Sequence, residues 1–336
     1  MTQTTQAATM RAVVGAQYGP PECLEVREVP RPDPGPGELL VRVHAAAVNP
    51  LDWFLVTGLP LIARTSMGLR RPKQLIAGVD LAGVVQAVGS GVTQFRVGDE
   101  VFGGGTGVFA DYALAKEGDL APKPHSLSFE EAAAVPLAAV TALQALRDRG
   151  RLQAGQAQAV LINGASGGVG LFAVQIAKHL GAEVTGVCSS GNAELVRSMG
   201  ADRVIDYAAQ DFTRAGRPYD LILDNAGNHP LKALRRALTH EGTLISNSGS
   251  GGGRWFGPFG RIVKVKTAAP LVSQRLVFFL ARVNRSDLGR LGDMADTGAL
   301  KVAIERTYRL EETAAALRHV GEGHVRGKLV VTVADE

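Results

Sequence analysis

A run of glycines between a predicted strand and a predicted helix constrains the fold of this chain more than any other feature. The run is Asn163-Gly164-Ala165-Ser166-Gly167-Gly168-Val169-Gly170. An apolar strand is predicted before it, over 159–163, and a helix over 167–181. Glycine lets the backbone turn tightly against a pyrophosphate, and a helix N-terminus offers free N–H groups and a positive dipole end. The run therefore predicts a dinucleotide phosphate site, with a ligand-free turn as the alternative.

The middle of the chain alternates between apolar strands and short helices. Such alternation with short connections predicts a parallel sheet covered on both faces, which is the doubly wound Rossmann arrangement of an α/β protein. Further strands are predicted over 183–188, 203–206, 221–224 and 243–246, and further helices over 193–199 and 231–238.

The first third of the chain is rich in short apolar runs and glycine turns, which predicts a compact, barrel-like β domain. An Ala- and Leu-rich stretch over 129–145 predicts a helix. A late helix over 310–320 and a strand over 328–333 are expected to pack back on the β domain. We therefore expect a discontinuous substrate domain, 1–138 with 283–336, and a cofactor domain over 139–282.

Composition argues against several classes of protein. The chain of 336 residues is 46% hydrophobic and 20% charged, with a net charge of +4 and no run of Lys and Arg, so no nucleic-acid partner is expected. Its two cysteines cannot form a disulfide framework or a four-thiolate zinc site. No apolar segment is long enough for membrane insertion, and residues 1–11 hold no signal-like apolar stretch. A cytoplasmic protein is expected.

The end of the second predicted strand bears on the choice of cofactor. NAD-binding Rossmann domains usually place Asp or Glu there to hold the ribose hydroxyls. This chain has Ser189 and Ser190, and a 2′-phosphate is better held by hydroxyls than by a carboxylate. Tyr207, after the third strand, is a further donor. NADPH is therefore predicted, while NADH use stays open because the loop holds no Arg or Lys; alternatively, the serines only cap the next helix.

Six segments occur in the order found in one known family: AAAVNPLDW (45–53), GVDLAGVVQAVGSGV (78–92), VGDEVFG (97–103), AAAVPLAAVTALQAL (132–146), NGASGGVG (163–170) and HVRGKLVV (324–331). They resemble the medium-chain dehydrogenase/reductase superfamily, and within it the zinc-free quinone oxidoreductase branch that includes the reticulon-4-interacting-protein-like group. The resemblance implies a GroES-like substrate domain, with the cofactor in the cleft beside the Rossmann domain. It also implies a homodimer, for which 276–280 is a candidate edge.

The resemblance implies roles for individual residues. Asn49 and Thr141 are expected beside the nicotinamide end of the cofactor, Asn225 and Gly227 in the loop after the fourth strand, and Lys328 close to the cofactor. Relatives often carry Arg where this chain has Gly191, which weakens phosphate pairing. The other cofactor-binding candidates are Gly164, Ser166, Gly167, Gly168 and Val169 in the pyrophosphate loop, and Ser189, Ser190 and Tyr207 around the 2′-phosphate.

Zinc-dependent relatives carry an early cysteine ligand and a Gly-His-Glu triplet. Here those positions are Asn49 and Gly78-Val79-Asp80, and Val79 has no lone pair for a metal. A catalytic zinc needs three protein ligands, so no metal site is expected. Without a Lewis acid, the expected reaction is hydride transfer from NADPH to a small electrophilic acceptor, either a quinone or an α,β-unsaturated carbonyl.

Two apolar stretches are candidates for the walls of an acceptor pocket, with surface packing as the alternative for both. One is an insertion over 59–73, and the other is the glycine-rich stretch over 249–258. The candidate side chains are Leu61, Ile62 and Met67, the preceding Trp53 and Phe54, and, on the opposite side, Trp255 and Phe256.

No catalytic acid is assigned from the sequence. Tyr112 is explained as well by packing, and Asp52 by turn stabilisation. Two other functions stay open, because fold does not fix function. One is reduction of enoyl thioesters, for which the basic residues Arg70, Arg71 and Lys73 would hold a phosphate. The other is a non-catalytic NADPH-binding redox sensor.

Overall fold

The computed structural model describes residues 8–153, 155–247, 255, 257 and 259–334. Within them the chain forms an α/β fold with two main sheets and a β-hairpin of two strands. The strands of the N-terminal half are β1 (Thr9–Val14), β2 (Glu25–Pro30), β3 (Glu38–Val48), β4 (Asp80–Val88), β5 (Glu100–Gly104), β6 (Tyr112–Lys116) and β7 (Leu120–Pro122).

The second sheet confirms the predicted Rossmann arrangement. Its described strands are all parallel and run in the order β10-β9-β8-β11-β12-β13, which is the 3-2-1-4-5-6 order of a dinucleotide-binding domain. The strands are β8 (Ala159–Asn163), β9 (Glu183–Cys188), β10 (Arg203–Asp206), β11 (Tyr219–Asp224), β12 (Leu238–Ser246) and β13 (Arg275–Phe278).

Helices cover this sheet because its apolar strands need both faces buried. The helix that follows the glycine run buries Phe172 and Ile176 in the largest core cluster. The helices are α1 (Pro50–Thr57), α2 (Arg64–Met67), α3 (Phe129–Ala134), α4 (Pro136–Leu143), α5 (Gly168–His179), α6 (Ala193–Ser198), α7 (Leu231–Arg236), α8 (Phe259–Ala268), α9 (Arg285–Asp296) and α10 (Thr313–Glu322). No described helix is long and apolar enough to cross a bilayer.

The first sheet contains β3 to β7, and the last strands of the chain join it. β14 (Ile304–Arg309) and β15 (Lys328–Thr332) extend that sheet, because β15 pairs antiparallel with β3 and parallel with β14. Leu329 lies opposite Val48 and Thr332 opposite Ala45. Residues near 328 and residues near 49 are therefore neighbours, and this proximity builds the site described below.

The predicted helical stretch over 129–145 is divided in the structure. Pro136 cannot donate an N–H to the preceding turn, so α3 ends at Ala134 and α4 starts at Pro136. The chain then continues as a π-helix over Gln144–Arg149. The division matters because α4 carries Thr141 and its N-terminus lies against Asp80.

A buried carboxylate joins this π-helix to the start of α9. Asp287 accepts hydrogen bonds from Arg147 Nη1 (2.7 Å) and from the side-chain amides of Gln144 and Asn284 (both 2.8 Å). Burial alone would raise the pKa of Asp287, but these hydrogen bonds outweigh burial and hold the pKa below its usual value. The carboxylate therefore stays ionised and ties the two segments together.

Replacing Asp287 with alanine should lower the free energy of unfolding by about 2 kcal/mol, because Arg147 and Gln144 each lose a hydrogen bond to a charged group. Urea denaturation followed by circular dichroism measures the change. Asp148→Ala is the matched control, since Asp148 pairs with the same Arg147 but is 43% exposed, and its loss should cost under about 1 kcal/mol. Equal losses in the two variants would contradict this account of the junction.

Candidate cofactor and substrate site

Most of the residues predicted to bind cofactor lie just beyond the carboxyl ends of the parallel strands of the second sheet; Asn49, Thr141 and Lys328 lie elsewhere. Gly164 and Ser166 follow β8, Ser189 and Ser190 follow β9, Tyr207 follows β10, and Asn225 and Gly227 follow β11. β8 lies between β9 and β11, which is the point where the strand order reverses. Ligands of open parallel sheets bind at this switch point.

The glycine run forms a tight turn into α5. Gly164 has φ +78°, a conformation that favours glycine. A Cβ on Gly170 would lie 2.2 Å from the carbonyl oxygen of Gly164, so only glycine lets the helix start this close to the strand. Gly167 is the N-cap of α5 and has no side chain to bind the first-turn N–H groups. Those N–H groups have no partner inside the helix, and helix N-termini of this kind bind anions.

Two neighbouring segments hold this turn in place. The N–H groups of Gly164 (3.1 Å) and Ala165 (2.9 Å) donate to the carbonyl of Val187 on β9. Asn192 donates to Ser166 Oγ at 3.2 Å, and the Gly327 N–H donates to the Ser166 carbonyl at 2.9 Å. The turn is therefore fixed before any ligand binds.

The region after β9 is open to solvent. Ser189 is half-buried, while Ser190 and Gly191 are exposed, and Tyr207 is 49% exposed, with its N–H donating to the Cys188 carbonyl (3.2 Å). Burial raises the pKa of the Cys188 thiol; nearby Asp206 also raises it and Arg197 lowers it. The sequence search did not consider Asp206 and Arg197, because they lie on β10 and α6 rather than in the loop itself.

The loop after β11 is organised by Asp224, which is fully buried. Asp224 accepts hydrogen bonds from Asn163 (2.8 Å) and from the Gly227 N–H (3.0 Å), and it forms an ion pair with Arg261 on α8. Asn225 Nδ2 is buried and has no hydrogen-bond partner in the described residues, although Asn225 Oδ1 accepts from Asn247 (3.1 Å). Sequence analysis missed Arg261, because nothing in the local pattern indicates that it reaches back to β11.

Asn49 lies in a buried polar cluster at the start of α1. Lys328 Nζ donates to Asn49 Oδ1 (2.5 Å), and Asn49 Nδ2 donates to Asp80 Oδ2 (3.0 Å). Asp52 Oδ2 accepts the Asn49 N–H (2.7 Å), which closes the first turn of α1. The Leu137 N–H donates to both oxygens of Asp80, at 3.2 and 3.1 Å. We call Asn49, Asp52, Asp80 and Lys328 the buried cluster.

Burial dominates the ionisation of this cluster. It raises the pKa of Asp52 to about 7 and the pKa of Asp80 to about 6, with the charge of Lys328 opposing both shifts. Burial lowers the pKa of Lys328, and the two carboxylates oppose that shift. Thr141 lies one turn further along α4 from Leu137, and its Oγ1 donates to the Leu137 carbonyl (2.6 Å).

The buried cluster does not fit zinc. A catalytic zinc needs three N, S or O ligands, and no group of three or more His, Cys, Asp or Glu suited to a metal occurs among the described residues. Lys328 also directs an ammonium at Asn49 and faces both carboxylates. A divalent cation would meet this positive charge directly.

The candidate pocket residues separate in the structure. Met67 lines a cavity of about 220 Å³ together with Leu55, Val56 and Ile76, whereas Ile62 is 38% exposed and, like Leu61, does not line it. Trp53 packs instead on Gly321 of α10, where a Cβ would lie 2.2 Å from the indole Nε1. Phe54 meets Trp53 edge to face.

The second candidate stretch is described only in part. Gly257 lies against Pro60, because a Cβ on Gly257 would be 3.0 Å from the proline Cγ. Trp255 is 67% exposed. Phe256 and the rest of 249–258 lie outside the described residues.

The two residues considered as acids have structural surroundings. Tyr112 packs against the small core cluster of β1, and Arg31 lies over its ring at 5.4 Å. Asp52 belongs to the buried cluster, and its Oδ1 has no partner in the described residues. Neither arrangement assigns a catalytic acid.

The described residues fit a nicotinamide dinucleotide. The glycine turn and the N-terminus of α5 suit a pyrophosphate, and Asn225 Nδ2 at the same sheet edge is a buried donor without an acceptor in the described residues. The buried cluster is linked to this turn through consecutive residues, because the Gly327 N–H donates to the Ser166 carbonyl and Lys328 Nζ donates to Asn49.

Comparison with protein families gives two matches. The family described as "Alcohol dehydrogenase GroES-like domain" matches residues 35–125, and the family described as "Zinc-binding dehydrogenase" matches residues 199–331. The description of the second family includes zinc, although the buried cluster of this chain does not fit that metal.

Curated relatives match nearly the whole chain. A chloroplastic quinone oxidoreductase of Triphysaria versicolor is 33% identical, over 96% of this chain and 98% of its own length. The mitochondrial NAD(P)H oxidoreductase RTN4IP1 of Mus musculus is 33% identical over 89% of this chain and 82% of its own. The 2-methylene-furan-3-one reductase of Solanum lycopersicum is 30% identical over 96% and 79%.

Solved structures agree with this grouping. A quinone oxidoreductase from Coxiella burnetii superimposes with a TM-score of 0.84 at 30% identity, over 97% of this chain and all of its own. A mycobacterial protein complexed with NADPH gives a TM-score of 0.80 at 26% identity, over 96% of this chain and 99% of its own. The fold, the loops at the carboxyl ends of the parallel strands and these relatives lead to the same conclusion. The chain is an NAD(P)H-dependent oxidoreductase and belongs to the medium-chain dehydrogenase/reductase superfamily.

Proposed function

We propose that this protein uses NADPH to reduce a quinone or an α,β-unsaturated carbonyl without zinc. One observation carries the proposal. Two consecutive residues connect the phosphate turn to the buried cluster, because the Gly327 N–H binds the Ser166 carbonyl and Lys328 Nζ binds Asn49. A dinucleotide with its phosphates on α5 would therefore present its reactive ring to a dry, polar wall of fixed geometry.

The chain's own residues would position the reactants and exclude water, while NADPH supplies the hydride. Asn225 Nδ2 and the first-turn N–H groups of α5 would bind polar groups of the cofactor. Asn49 and Thr141 would lie beside the nicotinamide ring of the cofactor. The ammonium of Lys328 against Asn49 supports the proposal that no zinc takes part.

The preference for NADPH is also part of the proposal. Ser189, Ser190 and Tyr207 supply donors after β9 and β10, and Arg197, which forms an ion pair with Glu194, lies close enough to affect Cys188. Asp206 is the opposing group, but its Oδ1 accepts the Ala208 N–H (3.0 Å) within its own turn.

Domain division, assembly and location are proposed on separate grounds. The pairing of β15 with β3 supports a substrate domain of 1–138 with 283–336 around a cofactor domain of 139–282. β13 ends the described order of the parallel sheet, and Leu280 beyond it is 82% exposed, which supports a homodimer through this edge. Free Cys23 and Cys188 support a reducing compartment such as the cytoplasm.

NADPH oxidation in the presence of different acceptors tests the proposed function. We expect turnover with 1,2-naphthoquinone or a 2-alkenal. Turnover confined to crotonyl-CoA would replace the proposal with enoyl-thioester reduction. Tight NADPH binding with no turnover on any acceptor would favour the redox sensor. The protein should be assayed after dialysis against a chelator, and loss of activity that zinc restores would contradict zinc independence.

Ser190→Asp should shift the ratio of kcat/KM for NADPH over NADH towards NADH by at least about tenfold, because a carboxylate there would repel the 2′-phosphate. Steady-state kinetics with both cofactors and one quinone measure the ratio. Ser198→Asp is the matched control, since Ser198 is exposed at the far end of α6 and adds the same charge. An unchanged ratio in Ser190→Asp would contradict the phosphate assignment.

A further inference from the structure

We propose that Lys328, Asp80 and Asp52 form a buried, charge-balanced clamp that fixes the orientation of the Asn49 side chain, leaving one of its N–H bonds to face bound cofactor or acceptor. Lys328 is then a positioning residue that acts through Asn49, rather than a ligand of the cofactor phosphates. The proposal rests on the proposed function and explains how the Asn49 side chain is held in place at that site.

The contacts determine which way the Asn49 amide points. Its oxygen accepts from Lys328 Nζ at 2.5 Å, and its nitrogen donates to Asp80 Oδ2 at 3.0 Å. Lysine can only donate and an ionised carboxylate can only accept. Turning the amide over would place its N–H groups against the Lys328 ammonium and its oxygen against the Asp80 carboxylate. The amide nitrogen has two N–H bonds, and Asp80 takes one of them. The other is the group that the clamp leaves for a ligand.

Asn49, Asp80 and Lys328 come from three different parts of the fold, and Asp52 lies in the first turn of the helix that Asn49 caps. Asn49 caps α1, Asp80 opens β4 and Lys328 opens β15. All are buried, with Asn49 3% and Lys328 4% exposed. A Cβ on Gly168 would lie 2.8 Å from Lys328 Cδ, so the lysine stem runs beside the first turn of α5. The stem passes the phosphate turn, but its ammonium is engaged at Asn49.

Charge counting explains the role of Asp52. The charged groups facing Asp52 are Asp80 and Lys328, so three ionised members would leave a buried net charge of −1. A proton on Asp52 makes the cluster neutral, which removes the cost of burying an unpaired charge. Asp52 Oδ1 has no hydrogen-bond partner in the described residues, so Lys328 does not donate to this oxygen. The raised pKa of Asp52 agrees with this assignment.

A double-mutant cycle tests whether Lys328 acts through Asn49. Stopped-flow hydride transfer from NADPH to 1,2-naphthoquinone should slow roughly 10- to 100-fold in Asn49→Ala and in Lys328→Met. The double variant should be no slower than Asn49→Ala alone. Lys116→Met, at an exposed lysine of β6, is the control and should leave the rate unchanged. Rate losses that multiply in the double variant would overturn the clamp.

Binding of 2′,5′-ADP separates positioning from phosphate contact. This probe carries the phosphates of the adenosine half without the nicotinamide. Its Kd, measured by calorimetry, should be the same in Lys328→Met and the unmodified chain. A Kd weakened tenfold or more in Lys328→Met would make Lys328 a phosphate ligand and overturn the proposal. Absence of NADPH binding to the unmodified chain would instead overturn the proposed function, and the role of the clamp with it.

A charge-balanced variant allows for the risk that Lys328→Met folds poorly. Lys328→Met leaves Asp80 without its cation, whereas Lys328→Met with Asp80→Asn removes one charge of each sign. The double variant should therefore have a higher Tm than Lys328→Met. A lower Tm in the double variant would show that Lys328 and Asp80 do not balance each other, and would overturn the clamp.

Asp52→Asn tests whether the Asp52 carboxyl carries a proton in the folded protein. A carboxyl whose pKa rises on folding contributes stability below its unfolded pKa near 4 that is lost as pH rises through the folded value of about 7. Asparagine does not titrate, so the Tm of Asp52→Asn relative to the unmodified chain should rise between pH 4 and pH 7.5. Asp148→Asn, at an exposed carboxylate outside the buried cluster, is the control. A constant Tm difference for Asp52→Asn would overturn the assignment of the proton.

Discussion

The return of β15 to the first sheet is the constraint on which the site depends. Pairing of β15 with β3 brings Lys328 beside Asn49, and the preceding residue, Gly327, binds the carbonyl of Ser166 in the phosphate turn. The short segment of Gly327 and Lys328 therefore sets the distance between the turn after β8 and the buried cluster. Gly327 has φ +80°, and a Cβ there would lie 2.3 Å from the Ala303 carbonyl, so this junction requires glycine.

Local pattern was sufficient to predict the first strands of the parallel sheet and the glycine turn between β8 and α5. The predicted bounds of β8, β9 and β10 match the structure, because each is a short apolar run that ends in polar or glycine residues. The glycine run was placed correctly between β8 and α5, since the backbone freedom of glycine can be read directly from the sequence. Pro136 could have indicated that the helix divides, but the continuous Ala- and Leu-rich pattern around it led to the prediction of a single helix.

Contacts between distant segments could not be predicted in this way. Asn49 and Lys328 are separated by 279 positions, and Asp224 and Arg261 by 37, and no periodic pattern connects such pairs. The sequence identified Lys328 only through a family resemblance, which placed it near the cofactor without showing what its ammonium binds. Trp53 was expected at the acceptor pocket for its size and position, yet packing against Gly321 depends on a helix near the end of the chain.

The long separation between Asn49 and Lys328 also orders the assembly of the site. Contacts of high sequence separation form late, because closing a long loop costs entropy before the contact repays it. Asp52 and Asp80 would be buried by α1 and β4 without a cation until β15 arrives, and buried carboxylates without partners take up protons instead of ionising. Arrival of Lys328 lets one of the two carboxylates ionise, so the charge state of the site reports that the C-terminal strand has docked.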